Sequence, residues 1–68
     1  MKNMTLTEAR ETAQLINEII ERVEECGGNV LAVDANGIGG PARCYVIHDT
    51  DRITLEIFHY PYKIPEGM

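Results

Sequence analysis

Four side chains in this sequence have the chemistry to hold a metal ion or to attack a carbonyl: Cys26, Cys44, His48 and His59. Their spacing argues against both roles. Cys44 and His48 fall on one face of a strand, but at about 3.3 Å per residue they stand roughly 13 Å apart, too far to share one zinc ion. A nucleophilic cysteine needs an oriented base and donors for the developing oxyanion, and no such partners accompany Cys44. The expectation is of structural cysteines and of histidines near strand ends, with no metal and no cofactor. A small thiol- or metal-dependent enzyme therefore ranks third among the functional readings, because 68 residues with one helix leave little room for a deep pocket.

The run Asp34, Ala35, Asn36, Gly37, Ile38, Gly39, Gly40 has the glycine content of an ion-binding loop. A phosphate-cradling loop leads into a helix, whereas this one continues through Pro41 into a strand. A calcium loop needs further oxygen ligands and a closing glutamate that are absent here. The run reads first as a flexible hairpin loop whose glycines take positive φ angles, and second as a partner-contacting loop with Asn36, Gly37 and Gly39 at the contact.

Two non-random surfaces remain. Glu18, Glu21, Glu24 and Glu25 crowd the last two turns of a helix, where the helix dipole disfavours negative charge. Arg22 offsets part of this by pairing with Glu18 at i,i+4, yet the helix carries six glutamates against two arginines. A solvated face is the plain reading, and a contact patch for a basic partner is the functional one. The second surface is the aromatic set Tyr45, Phe58, Tyr60 and Tyr62, with Ile47 among them. Tyrosine is over-represented at protein interfaces, whereas base-stacking sheets also carry a basic lining, and only Arg43, Arg52 and Lys63 are near.

The elements that position these residues follow from local signals. Thr5 and Glu8 form a capping box, each side chain bonding the other's backbone amide, so a helix starts here. Ala9, Ala13, Ile16, Ile20 and Val23 then recur at helical spacing on one stripe. Leu15, Ile19 and Cys26 widen that stripe on one flank, so either the sheet covers them or a second subunit does. Gly27 and Gly28 end the helix, giving a span of about 6–26.

Strands follow at about 29–34, 42–48 and 52–60, the last two joined by the polar turn Asp49, Thr50, Asp51. Ile53, Leu55 and Ile57 alternate with Thr54, Glu56 and Phe58, so one face is apolar and takes the helix. Cys44 and Val46 join that face, and Arg43, Tyr45, Ile47, Phe58 and Tyr60 lie on the other, which nothing in the chain covers. The expected fold class is α+β: one N-terminal amphipathic helix packed on a three-stranded antiparallel β-meander (αβββ), in two layers, as one domain over 1–68. Residues 61–68, with two prolines, read as an extended tail.

A chain this short gains little stability from one core, so self-association is expected. Two cysteines are too few for a secreted disulfide scaffold, and no signal peptide precedes the helix, so the cytoplasm is the expected location. Starting at Met1 and ending just past the last strand, the sequence reads as a complete small gene product. No apolar run approaches membrane-spanning length, and a net charge of −5 argues against direct nucleic-acid binding.

The leading functional reading is a non-catalytic protein-binding module that docks on a basic, nucleic-acid-binding surface of a larger protein and inhibits it. Phage-encoded anti-defence inhibitors, anti-CRISPR proteins among them, share this size and acidity as a type, without a common motif. The second reading is a homodimeric structural or regulatory subunit associating through the aromatic sheet face.

Overall fold

The computed structural model describes residues 4–61, so Tyr62 and nearly all of the expected tail lie outside the described residues. Helix α1 (Leu6–Glu25) is followed by strands β1 (Leu31–Val33), β2 (Gly39–Asp49) and β3 (Arg52–His59), in an antiparallel sheet of order β1-β2-β3. This is the α+β arrangement that the hydrophobic periodicity implied.

Both ends of α1 are chemically closed. Thr5 Oγ1 accepts from the Glu8 amide at 3.1 Å and a Glu8 carboxylate oxygen accepts from the Thr5 amide at 2.9 Å, leaving fewer of the first-turn amides without a partner. At the other end Cys26 is the C-cap and Gly27 turns the chain with φ +89. The Gly28 amide donates to the Val23 carbonyl and the Gly27 amide to the Glu24 carbonyl, the paired bonds of a Schellman stop.

Strand β2 is longer than its residue types indicate, because Gly39, Gly40 and Pro41 belong to it and pair with Val33, Ala32 and Leu31. Pro41 is tolerated there because β3 ends at His59, so the amide that Pro41 lacks is missed only at the end of the ladder. Its carbonyl still accepts from the Tyr60 amide. Gly39 keeps φ out of the positive range; it is needed because a Cβ there would collide with the Ala32 carbonyl and the Val33 side chain. Of the loop glycines, Gly37 is the one with positive φ, at +81. Its turn is closed by Asp34, whose Oδ1 accepts from the amides of Asn36 at 2.8 Å and Ile38 at 3.0 Å.

The β2–β3 hairpin pairs Asp49 with Arg52 and turns through Thr50 and Asp51 alone. Its register places Cys44, Val46, Ile53, Leu55 and Ile57 on one face and Arg43, Tyr45, Ile47, Thr54, Glu56 and Phe58 on the other. Helix α1 packs mainly on β2 and only lightly on β3. Small residues make that approach close: Ala9, Ala13, Ala42 and Cys44 are buried together with Ile20. Ile57, on the same sheet face as Cys44, stays 53% exposed because the helix does not reach across to it. No helix among the described residues is long and apolar enough to cross a membrane.

Candidate functional site

The outward side of α1 presents two adjoining strips. At 100° per residue, Leu15, Ile19 and Val23 form a line about 100° around the helix from the buried line of Ala9, Ala13 and Ile20. Leu15 is 61% and Ile19 64% exposed, and Val23 is 41% exposed although it belongs to the expected core stripe. The sheet therefore leaves this flank open. An apolar hollow beside it is lined by Ile19, Arg22, Val23, Cys26 and Gly28.

Beyond the ridge come the carboxylates of Glu18, Glu21 and Glu25, all exposed. None of the three makes an ion pair with a described residue. With Arg22 and Cys26 they border an open hollow of about 400 Å³. The fourth glutamate of the group turns the other way. Glu24 is half-buried and takes a bidentate hydrogen bond from Arg43, at 3.0 and 3.2 Å. Hydrogen bonding to Glu24 holds the Arg43 guanidinium above its ordinary pKa against the effect of desolvation, helped by the charges of Glu24 and Glu21. Glu24 thus closes the helix against the sheet and leaves Glu18, Glu21 and Glu25 exposed on its outer side.

Arg43 also organises the outer sheet face. Its guanidinium carbon lies 5.9 Å from the Tyr60 ring centroid, within cation–π range, and Nη1 donates to the Ala42 carbonyl at 2.6 Å. Tyr45 and Phe58 pair across β2 and β3 with ring centroids 6.1 Å apart and planes tilted by 47°. Tyr45, Ile47 and Phe58 are half-buried, whereas Tyr60 is 58% exposed. The helix ridge consequently offers more open apolar surface than this sheet face. The loop residues Asn36, Gly37 and Gly39 are exposed at the far end of β1 and β2.

The cysteine and histidine side chains are dispersed. Cys26 is exposed at the helix cap, Cys44 is buried in mid-β2, and His48 lies beside the hairpin tip. His59 pairs with Ala42, two residues from Cys44 on the same face, and its Nε2 is 3.9 Å from Asp34 Oδ2. That ordering resembles a cysteine–histidine–carboxylate set, but no hydrogen bond joins Cys44 to either histidine among the described residues. Burial pushes the Cys44 thiol pKa up, the opposite of what nucleophilic activation requires. No group of three metal-ligating side chains assembles among the described residues.

Two features of this surface were hidden in the sequence. Asn17 reads as a polar interruption of the helix, yet its side chain bonds both backbone groups of Cys44. Arg43 reads as an isolated strand cation, yet it ties α1, β2 and Tyr60 together. No protein family, curated protein or solved structure matches the chain.

Proposed function

We propose that this chain is a small non-catalytic binding module that docks on a basic surface of a larger protein through Glu18, Glu21 and Glu25. The observation that carries this reading is the placement of those carboxylates: they share one exposed flank at the negative end of the helix dipole, and none of them is in an ion pair with a described residue. Stability alone disfavours negative charge there, so a basic partner supplies the compensation that the fold lacks. A surface that otherwise binds nucleic acid has the required charge, and masking it would make the module an inhibitor, as anti-defence proteins of this size are. The cytoplasm of the producing or infected cell is the proposed location. Supporting the non-catalytic part is the Cys44 thiol, buried and with no base bonded to it among the described residues.

The test replaces Glu21 by Gln and Glu25 by Lys, which alters the flank and keeps both members of the Glu24–Arg43 hydrogen-bonded pair. Proteins captured on the immobilised parent chain are compared with those captured on the variant across a salt titration. A basic protein held by the parent, released by salt and lost by the variant is the expected result. Equal retention by both chains at every salt concentration would remove the acidic flank from consideration.

A further inference from the structure

We propose that the exposed seam of α1 is a self-association surface, on which the same seam of a second copy of this chain packs antiparallel. The seam runs along Thr12, Leu15, Ile19, Val23 and Cys26, five uncharged residues in an otherwise charge-rich helix. Leu15, Ile19 and Val23 are open to solvent, and Cys26 is exposed beside them. An exposed apolar line of this kind costs solubility unless something covers it.

The spacing identifies the occupant. Counted outward from Ile19, the seam is palindromic: Leu15 and Val23 lie four residues away on either side, and Thr12 and Cys26 lie seven away. An antiparallel pair centred on Ile19 therefore sets Ile19 against Ile19, Leu15 against Val23 twice, and Thr12 against Cys26 twice. This is the isologous pattern of a two-fold dimer, in which one patch serves both sides. The apolar residues of one copy thus meet those of the other, with Arg22 of each copy at the edge beside Leu15 of the other.

Charge at the rim agrees with this arrangement. A two-fold axis perpendicular to both helices lays the same flank of each copy side by side. Arg22 and Glu18 share that flank, and at 1.5 Å per residue the reversal brings Arg22 of one copy within about 3 Å, measured along the axis, of Glu18 of the other. Arg22 of each copy then reaches toward Glu18 of the other and offsets the approach of the two Glu18 carboxylates, which the same reversal also brings within about 3 Å along the axis. Glu18 is shared between this contact and the docking flank, whereas Glu21 and Glu25 remain outside it, so changes at Glu21 and Glu25 test docking without altering the seam.

The experiment measures mass by sedimentation equilibrium for the parent and for Ile19→Glu, with circular dichroism as the check on folding. Because Ile19 is 64% exposed, the variant keeps its helix content. The parent is expected to dimerise, with association maintained or strengthened by salt because both copies carry −5. Ile19→Glu weakens it by at least about 100-fold, since two carboxylates then meet at the centre. Helix direction is read separately by oxidising Thr12→Cys. Residues 12 and 26 of one helix are about 21 Å apart, so a disulfide between them forms only between antiparallel copies. Three results overturn the proposal: a parent that stays monomeric at its highest soluble concentration, a dimer indifferent to Ile19→Glu, or peptide mapping that finds only Cys26–Cys26 links.

Discussion

The carboxamide of Asn17 does for Cys44 what a neighbouring strand would do: Nδ2 donates to the Cys44 carbonyl at 3.0 Å and Oδ1 accepts from the Cys44 amide at 2.6 Å. The short β1 cannot serve, because its pairing with β2 stops at Leu31 opposite Pro41, and the Val30 carbonyl then takes the Ala42 amide. Cys44 is the next residue whose amide and carbonyl face that edge. One helix side chain thus finishes the ladder and fixes the helix against β2.

We predict that Asn17→Ala lowers stability by about 2 kcal/mol, because it leaves an amide and a carbonyl of a buried residue without partners. Asn17→Asp should be no better, since a carboxylate retains the acceptor but opposes the Cys44 carbonyl. A urea denaturation midpoint within error of the parent for both variants would show that water satisfies Cys44 equally well.

The Thr5 capping box yields a pH-dependent prediction. Hydrogen bonds from Thr5, the backbone bond first, hold the Glu8 carboxyl below its ordinary pKa. A lowered folded-state pKa contributes stability that is present above the unfolded value and is lost as pH falls through the folded one. Thr5→Ala should cost about 1 kcal/mol at neutral pH, and the difference from the parent should shrink as pH drops below the carboxylate range. The residue-5 amide remains in the variant, so only the hydroxyl's part of the shift is lost, and a constant difference down to acid pH would mean that the Thr5 hydroxyl does not act on the Glu8 carboxylate.

The fold was legible where each residue's neighbours in sequence are also its physical partners. Thr5 with Glu8, Gly27 with Glu24 and Gly28 with Val23, and the alternation of Ile53, Leu55 and Ile57 each set an element from within a few positions. The start of β2 lies three residues earlier than its residue types indicate because Gly39, Gly40 and Pro41 have turn chemistry, and only the pairing with β1 makes them a strand. The candidate surface divided in the same way. The acidic character of α1 is explicit in its composition, but the turn of Glu24 toward Arg43 depends on a contact 19 residues away. Leu15 and Ile19 stood out as a flank of the stripe, while their exposure depends on where β2 lies beneath the helix.

Arg43 and Glu24 should behave as a coupled pair. We predict that Glu24→Gln and Arg43→Met each lower the melting temperature, and that the double variant is less destabilised than the two losses together, because each single change strands the partner's charge. Salt should reduce this coupling without abolishing it, since both side chains are half-buried. Strict additivity at low salt would reduce the contact to a packing coincidence. Arg43→Met also removes the cation beside Tyr60, so a changed Tyr60 fluorescence or ring-proton shift reports that contact separately.

The two cysteines should differ in reactivity, and the difference should carry a sign with pH. Cys26 is exposed at the helix cap and Cys44 is buried, its thiol pKa raised by desolvation. A native chain treated with an alkylating reagent should therefore be modified at Cys26 alone, with Cys44 reacting only as the chain unfolds. Because the folded-state pKa of Cys44 lies above its unfolded value, its contribution is fully present below the unfolded pKa. It is lost as pH rises past that value toward the folded one, since the unfolded thiol ionises first. Denaturation midpoints measured from about pH 8 to about pH 10 should fall more steeply for the parent than for Cys44→Ala. Subtracting the two curves cancels the tyrosines that titrate nearby. Parallel curves, or native labelling of both cysteines at equal rates, would mean that the thiol is open to water and that α1 packs on β2 more loosely than the burial of Cys44 requires.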